Sequence, residues 1–162
     1  MSDEIRLKAE RLVRILKSRG WTVATAESMT GGLVAAAITS VPGVSEVFRE
    51  GYVVYADEAK AARLNVRRDT LARHGSVSGE CAGEMAENLE KLAQCDLALS
   101  ITGFAGPTGG TADAPIGTVW FASSFHGTVA TRMERISGDR DAVRRTATLK
   151  LLLWGLEALA GK

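Results

Sequence analysis

Cysteine and histidine are scarce in this sequence, which has two residues of each among 162. Cys81 and Cys95 do not form a C-x-x-C pair, and two cysteines are too few for a disulfide framework. A four-ligand zinc site would require both cysteines to converge with His74 and His126. We therefore expect no metal site, no histidine-based catalysis, and two thiols that are either buried apolar residues or exposed bystanders.

The sequence also lacks a long apolar run and an excess of charge of either sign. The longest apolar stretch, LKLLLWGLEALAG near the C-terminus, is interrupted by Lys150 and Glu157, so no membrane span is predicted. The first twenty residues are charged throughout and lack the apolar core of a signal peptide. A formal net charge of +1, with basic and acidic residues interleaved, gives no field that attracts nucleic acid. We expect a cytoplasmic protein that binds neither membrane nor nucleic acid.

Common catalytic and phosphate-binding motifs are missing as well. There is no G-x-S-x-G sequence, which marks the serine of α/β hydrolases, and no G-x-x-x-x-G-K-[ST] sequence for ATP phosphates. The glycine-rich segment 103–110 reads G-x-x-G-x-x-G-G and precedes a predicted strand, whereas a dinucleotide-binding G-x-G-x-x-G opens a helix. A Ser-His-Asp triad and ATP binding through a P-loop are therefore not indicated.

Helical and strand periodicities alternate along the first two-thirds of the chain, and a predicted hairpin follows. Ser2 or Asp3 is expected to cap the first helix, Asp57 the third helix and Asp69 a short helical turn. The pattern predicts a single three-layer αβα domain of the α/β class, with a mixed β-sheet, over residues 1–162. The predicted helices cover residues 3–19, 30–40, 57–65, 67–75, 79–93 and 138–160, and the predicted strands cover 21–26, 47–56, 96–102 and two segments within 118–136.

Ser28 lies between the first predicted strand and the second predicted helix, in the stretch ATAESMTGG. A serine hydroxyl needs a neighbouring base to act as a nucleophile, and a lysine can be that base if its pKa is lowered. Lys60 lies one turn into the helix after Tyr55, whose hydroxyl could relay a proton or orient the ammonium. The helix after Ser28 would supply amides, such as those of Met29 and Thr30, to an oxyanion. On residue type alone, a helix N-cap for Ser28, a solvated Lys60 and a core position for Tyr55 stay open.

The segment GFAGPTGGTADAPIG, residues 103–117, contains five glycines and two prolines. A loop of that length inside a compact domain is uncommon unless it has a function. We therefore expect this loop to contact substrate.

Three motifs, in consistent order, resemble the C-terminal domain of the CinA (competence/damage-inducible) family. They are TAESMTGGLVAAAITSVPGVSEVFREGYVVYADEAKAARLNV, LSITGFAGPTGGTADAPIGTVWFA and GDRDAVRRTAT, and the resemblance extends from about residue 5 to residue 158. It implies an amidohydrolase of pyridine nucleotide recycling, which converts nicotinamide mononucleotide to nicotinate mononucleotide and ammonia without a metal or organic cofactor. The resemblance makes Ser28 of the ESxTGG motif the nucleophile, with Tyr55 and Lys60 of the Y-x(4)-K segment completing the catalytic set.

The phosphate of such a substrate needs amide donors or cations. The candidates are the residues around Ser28, the glycine-rich loop and two arginines of the last helix. Close helix packing is the alternative role of the glycines, and a solvated face or an oligomer contact is that of the arginines. The predicted substrate-binding residues are Glu27, Thr30, Gly31, Gly32, Thr102, Gly103, Gly106, Gly109, Gly110, Arg140 and Arg144.

A second class of function is a catalytically silent nucleotide-binding or regulatory module of the same family, linked to competence or DNA damage. The intact set of Ser28, Tyr55 and Lys60 favours the enzyme, because a silent relative would be expected to lose part of it. The apolar last helix, LKLLLWGLEALA, predicts a homo-oligomer, with a dimer as the expected state.

Overall fold

The computed structural model describes residues 1–160, which form six α-helices, one short 3₁₀-helix and five β-strands. The helices are α1 (Asp3–Arg19), α2 (Leu33–Thr39), α3 (Asp57–Leu64), α4 (Arg68–His74), α5 (Gly79–Ala93) and α6 (Arg140–Leu159), and the 3₁₀-helix spans Val44–Glu46. The strands are β1 (Val23–Glu27), β2 (Phe48–Val53), β3 (Leu97–Gly103), β4 (Thr118–Phe125) and β5 (Thr128–Arg135). Each predicted helix and strand is present within this part of the chain, with some ends shifted.

The strands form one mixed sheet in the order β2-β1-β3-β4-β5. β1 pairs in parallel with both β2 and β3, whereas β3 with β4 and β4 with β5 are antiparallel. Helices α1, α2 and α6 cover one face, and α5, with α3 and α4 packed against it, covers the other. The predicted three-layer α/β fold with a mixed sheet is confirmed.

The sheet is buried most deeply along its centre. All five residues of β1 are buried, and so are all residues of β3 except the last, because helices cover both of their faces. β5 is an edge strand, and seven of its eight residues are exposed, in keeping with its polar sequence TVATRMER. Apolar residues of α1 at helical spacing fill the space between α1 and the sheet, and Ser2 caps this helix as predicted.

The carboxyl ends of the three parallel strands meet at one edge of the sheet. β1 ends there at Glu27, β2 at Val53 and β3 at Gly103. The segment after β3 returns to the same edge, because β4 begins opposite the end of β3, with Val119 paired to Gly103. Ligand sites of α/β sheets lie outside the carboxyl ends of parallel strands, so this edge is where functional residues are expected.

α2 begins later than predicted, at Leu33 instead of Thr30. Residues 28–32 form a turn, and the N-cap residue of α2 is Gly32, with φ of +96°. The turn replaces the first predicted helical residues because several of its backbone groups bind side chains from other parts of the chain, as described below.

Two predicted helix caps are wrong. Ala56 is the N-cap residue of α3, and Asp57 lies in the first turn with its carboxylate 3.8 Å from Lys60 Nζ. Arg67 is the N-cap residue of α4, and Asp69 lies inside its first turn. Both aspartates still favour the helix through its dipole, because a negative charge is stabilising in the first turn.

α6 is the longest helix described and buries its apolar side against α1 and strands β3 and β4 of its own chain. The expected homo-oligomer stays a prediction. Over residues 1–160, no helix combines the length and the apolar sequence needed to cross a bilayer.

Gly117, which joins the 103–117 loop to β4, gives a test of the fold. It has φ of +88°, and an added Cβ would overlap the carbonyl of Ile136. Gly127, in the turn between β4 and β5, has a similar φ of +78° but open space at the Cβ position. We expect Gly127→Ala to lower the free energy of unfolding by about 1–2 kcal/mol, the cost of a left-handed conformation for an L-residue.

Gly117→Ala should lower the free energy of unfolding by about 1–3 kcal/mol more than Gly127→Ala, because the overlap with backbone forces a shift. Urea denaturation of the two variants measures this difference. Equal losses would show that the turn at Gly117 has room for a side chain.

Candidate active site

Ser28 and Lys60 lie side by side at the carboxyl edge of the sheet. Ser28 directly follows β1, and Lys60 is on the first turn of α3. The Lys60 Nζ atom lies 3.2 Å from Ser28 Oγ, although 32 positions separate the residues in the sequence. Ser28 is 7% exposed and Lys60 is 1% exposed. The structure therefore brings Lys60 to Ser28, as a base for this serine requires, and the solvated alternative for Lys60 is excluded.

Two backbone carbonyls fix the Lys60 amine. Nζ donates to Val54 O at 3.0 Å and to Tyr55 O at 3.1 Å. These carbonyls are free to accept because β2 ends at Val53, three residues before its predicted end. A neutral amine that places its two N–H groups on these carbonyls keeps its lone pair for the hydroxyl of Ser28.

The environment of Lys60 favours the neutral amine. Burial lowers the pKa of Lys60 below its ordinary value of 10.5, because a charged group is disfavoured away from water. The Asp57 carboxylate, 3.8 Å away, raises the pKa but does not cancel the effect of burial. Burial also raises the pKa of the nearby Cys81 thiol to about 12, so this neighbour is uncharged at neutral pH. The amine of Lys60 therefore loses its proton at a lower pH than a solvated lysine does.

Tyr55 and Arg140 meet at the rim of the site. Tyr55 is 57% exposed, and its hydroxyl accepts a hydrogen bond from Arg140 Nη2 at 2.9 Å. Arg140 Nη1 donates to Gly106 O at 2.9 Å and so connects Tyr55 to the glycine-rich loop. The core position considered for Tyr55 is wrong. Tyr55 contacts the Lys60 amine through its backbone carbonyl, so it orients that amine, and its hydroxyl is directed to Arg140 instead.

Glu27, and not Ser28, satisfies the first amides of α2. Its carboxylate is buried and accepts three hydrogen bonds, from the amides of Gly32 at 3.1 Å, Val34 at 3.0 Å and Ala35 at 2.8 Å. The alternative interpretation of Ser28 as a helix cap is therefore wrong. The amide of Gly32, expected to face the substrate, is already bound to a side chain of the protein.

Arg144, on the second turn of α6, binds the carbonyl groups of the same turn. Its Nε donates to Met29 O at 3.0 Å, and its Nη2 donates to Thr30 O at 2.9 Å. Gly31 lies against the guanidinium with φ of +63°, and its own N–H donates to Ser28 O at 3.0 Å. Arg144 thus holds the segment that carries Ser28 in place.

The amides of Met29 and Thr30 have no hydrogen-bond acceptor within residues 1–160. Both residues are almost fully buried, and Met29 lines the pocket into which Ser28 and Lys60 open. Buried amides without a protein partner are rare, so the amide of Met29 is available to an atom of a ligand or water in the pocket. The amide that follows a nucleophilic serine is a common oxyanion donor.

The pocket that contains Ser28 and Lys60 has a volume of about 190 Å³. Seven predicted site residues line it: Ser28, Tyr55, Lys60, Thr102, Gly103, Gly106 and Arg140. Seven others do not: Glu27, Thr30, Gly31, Gly32, Gly109, Gly110 and Arg144. Met29, whose amide the sequence put forward as an oxyanion donor, also lines the pocket. The sequence did not single out the other lining residues, which are Ser76, Val77, Phe104, Ala105 and Thr108.

The lining residues that the sequence did not single out were missed for different reasons. Phe104, Ala105 and Thr108 belong to the loop whose length predicted a function, although only its glycines were named. Ser76 and Val77 lie between α4 and α5, in a segment without a motif, and no sequence signal could have found them. Their position becomes known only when the two helices are packed on the sheet.

A larger cavity of about 590 Å³ adjoins this pocket and shares Ser76, Val77 and Phe104 with it. Trp120, Met133 and Arg135 form part of its wall. A molecule larger than the small pocket can therefore extend along this edge of the sheet.

Comparison with known proteins identifies the family. The family described as "CinA C-terminal domain" matches residues 6–159 of this chain. A protein of Escherichia coli (strain K12), named nicotinamide-nucleotide amidohydrolase PncC, is 51% identical over 158 residues, which cover 95% of this chain and 96% of that protein. A CinA-like protein of Kosmotoga olearia is 47% identical over 140 residues, which cover 86% of this chain but 34% of that protein.

Solved structures show the same relationship. A competence-damaged protein (CinA) superfamily protein from Klebsiella pneumoniae 700603 superimposes with a TM-score of 0.94 at 40% identity, covering 98% of this chain and 99% of the other. The competence/damage-inducible protein CihA from Agrobacterium tumefaciens gives a TM-score of 0.94 at 35% identity, covering 98% and 97%. The resemblance found in the three sequence motifs is confirmed, and this chain belongs to the CinA C-terminal domain family.

Proposed function

We propose that this chain is an amidohydrolase that converts nicotinamide mononucleotide to nicotinate mononucleotide and ammonia. The observation that carries the proposal is the buried Lys60 amine, held by two carbonyls and 3.2 Å from Ser28 Oγ. This pair supports amide hydrolysis through a serine nucleophile. The identity of the substrate is supported by the name of the E. coli relative, which matches nearly the whole length of both chains.

In the first half of the proposed reaction, Ser28 Oγ attacks the carboxamide carbon while Lys60 Nζ takes the hydroxyl proton. The carbonyl oxygen becomes an oxyanion, for which the unpaired amide of Met29 is a suitable donor. Lys60 then returns the proton to the amide nitrogen, the C–N bond breaks, and ammonia leaves. Ser28 is left as an ester of the nicotinate group.

In the second half, water enters the place that ammonia has left. Lys60, neutral again, takes a proton from this water, whose oxygen attacks the ester carbon. The C–O bond to Ser28 breaks, the proton returns from Lys60 to Ser28 Oγ, and nicotinate mononucleotide leaves. One lysine is base and acid in both halves, which requires a pKa closer to neutrality than that of a solvated lysine.

The proposed substrate has a pyridine ring and a ribose phosphate, and the two regions of the site suit them. The carboxamide and ring would occupy the 190 Å³ pocket beside Ser28. The ribose phosphate would extend toward the rim, where Arg140 presents a guanidinium between Tyr55 and Gly106. A guanidinium binds phosphate oxygens through charge-assisted hydrogen bonds.

A catalytically silent module linked to competence or DNA damage is the alternative. Relatives from Clostridium kluyveri and Clostridium novyi are named putative competence-damage inducible proteins, at 42% and 43% identity. The paired Ser28 and Lys60 favour the enzyme. An assay for ammonia and nicotinate mononucleotide, with purified protein and nicotinamide mononucleotide, tests the proposal. Nucleotide binding without turnover would support the silent module.

Replacement of the nucleophile tests the mechanism. We expect Ser28→Ala to lower kcat by at least about 10³-fold, because the acyl-enzyme route is lost. The free energy of unfolding should change by only about 0.5–1.5 kcal/mol, the value of one hydrogen bond. Ser123→Ala is a matched control, since Ser123 is also buried but lies in β4 outside the pocket. Substantial turnover by Ser28→Ala would remove Ser28 from its proposed role.

The pH dependence of kcat/KM tests Lys60. Because only the neutral amine can accept a proton, kcat/KM should rise with pH and reach a plateau. Burial lowers the pKa of Lys60, so the midpoint of this rise is expected below the ordinary lysine value of 10.5. Lys60→Arg, which stays protonated, should lose the rise and at least about 10²-fold of the activity. A midpoint at or above 10.5, or an active Lys60→Arg enzyme, would show that another group is the base.

A comparison of nucleotide with nucleoside tests the proposed phosphate contact. We expect nicotinamide riboside to be a poorer substrate by about 10–100-fold in kcat/KM, the equivalent of one charge-assisted hydrogen bond of about 1.5–3 kcal/mol. Arg140→Met should lower kcat/KM for the nucleotide and leave the value for the riboside nearly unchanged. Equal losses for both substrates would mean that Arg140 acts on the shape of the pocket and not on phosphate.

A further inference from the structure

We propose that Arg144 is a positioning residue for the oxyanion donor, acting through the turn of residues 28–32 without touching substrate. The inference rests on the proposed function, because it assigns a part to the serine mechanism. Arg144 does not line the pocket of Ser28 and Lys60, and its side chain is about one-quarter exposed. Its contacts with the turn are therefore what connects it to the reaction.

The guanidinium of Arg144 binds two successive carbonyls as a fork. Nε holds Met29 O at 3.0 Å and Nη2 holds Thr30 O at 2.9 Å. A guanidinium is planar and presents its donors at a fixed spacing, so these two bonds set the orientation of two neighbouring peptide planes. The carboxylate of Asp141, at 4.0 Å from Nη1, faces the other side of the same group.

The orientation passes along the backbone to the amide beside the nucleophile. In a trans peptide, the C=O and the next N–H point in opposite directions. With Thr30 O held by Arg144, the N–H of Gly31 in the same peptide points away from Arg144 and donates to Ser28 O at 3.0 Å. With Ser28 O held in turn, the N–H of Met29 points the opposite way. Met29 lines the pocket, and its amide is one of the two without an acceptor within residues 1–160.

Glu27 holds the end of the same segment. Its carboxylate accepts the amides of Gly32, Val34 and Ala35, and so fixes the end of the turn against the end of β1. Glu27 thus binds the last amide of the turn, that of Gly32, while Arg144 binds the carbonyls of Met29 and Thr30. Such a doubly held turn keeps its conformation when charge develops on the substrate, which is what electrostatic preorganisation requires.

Gly31 shows how closely Arg144 fits this turn. A Cβ at Gly31 would lie 3.3 Å from Arg144 Nη2, and the φ of +63° favours glycine.

A lysine at position 144 could offer a single donor group and could hold one carbonyl, but it could not fix two planes as the planar fork does.

The experiment compares Arg144→Met, Arg144→Lys and Arg145→Met with the wild-type protein. Arg145 is the matched control, because it is the next residue of α6, binds Asp141 at 3.1 Å and does not contact the turn. Three quantities are measured: kcat and KM for nicotinamide mononucleotide, the rate at which a small fluorophosphonate labels Ser28, and the thermal unfolding midpoint.

Removal of an oxyanion donor costs about 10²–10³-fold in kcat, and a loosened donor should cost less. We expect Arg144→Met to lower kcat by about 10–100-fold, with KM within about twofold of the wild-type value and a parallel decrease in the labelling rate. Arg144→Lys should recover only part of this loss. The pH at which kcat/KM rises should stay unchanged, because Lys60 keeps its carbonyl partners. Arg145→Met should behave as the wild type.

Wild-type kcat in Arg144→Met with a lowered unfolding midpoint would overturn the inference, since Arg144 would then support only the fold. A raised KM at constant kcat would also overturn it, in favour of substrate binding. If the wild type labels at Ser28 but does not hydrolyse the nucleotide, the proposed substrate fails and the labelling rates alone decide the inference. If Ser28 is not labelled in the wild type, both proposals fall.

Discussion

The burial of the Lys60 amine beside Ser28 is the constraint on which the rest of the site depends. Removing an ammonium from water costs several kcal/mol, so the amine must be neutral for much of the time or be surrounded by acceptors. The structure surrounds the amine with acceptors and shifts it toward the neutral form. Burial lowers the pKa of Lys60, and β2 ends early enough to leave the carbonyls of Val54 and Tyr55 for its N–H groups. One buried nitrogen thus connects the residues after β2 with the first turn of α3.

A second buried ionisable side chain, Glu27 at the end of β1, binds the backbone amides at the start of α2. Ser28 must lie on an open turn to be accessible, but an open turn before a helix leaves amides without partners. Glu27, the last residue of β1, supplies these partners. Its carboxylate accepts hydrogen bonds from three amides at the start of α2. The first amides of α2 are consequently bound by a side chain of the protein and are not available to a ligand. The amides of Met29 and Thr30, which come earlier in the turn, find no acceptor within residues 1–160.

Patterns among neighbouring residues predicted the helices and strands, but they could not predict which distant residues meet at the site. The cap at Ser2 and the apolar face of α1 are properties of neighbouring residues, so the sequence predicted them well. Residue types alone leave the pairing of Ser28 with Lys60 open, and the motif resemblance predicts it, since no local rule joins residues 32 positions apart. Asp57 was expected to cap α3, but it lies one position inside the helix, near the charge of Lys60. Ser76 and Val77 carry no signal, because their role arises only from the packing of α5 on the sheet.

α6 brings the separate parts of the site together. Arg140 and Arg144 are four residues apart and therefore lie on the same face of this helix. Arg140 binds Tyr55 and Gly106, which belong to the segment that holds Lys60 and to the glycine-rich loop, while Arg144 binds the turn that carries Ser28. Lys60, the glycine-rich loop and Ser28 come from distant positions in the chain, and α6 adds a second connection between them beside the sheet. Because α6 is long and its apolar side is buried against the sheet, a rigid element sets the distances between all three. The chemistry proposed for this edge of the sheet thus depends on a helix that contributes its donors from the final part of the sequence.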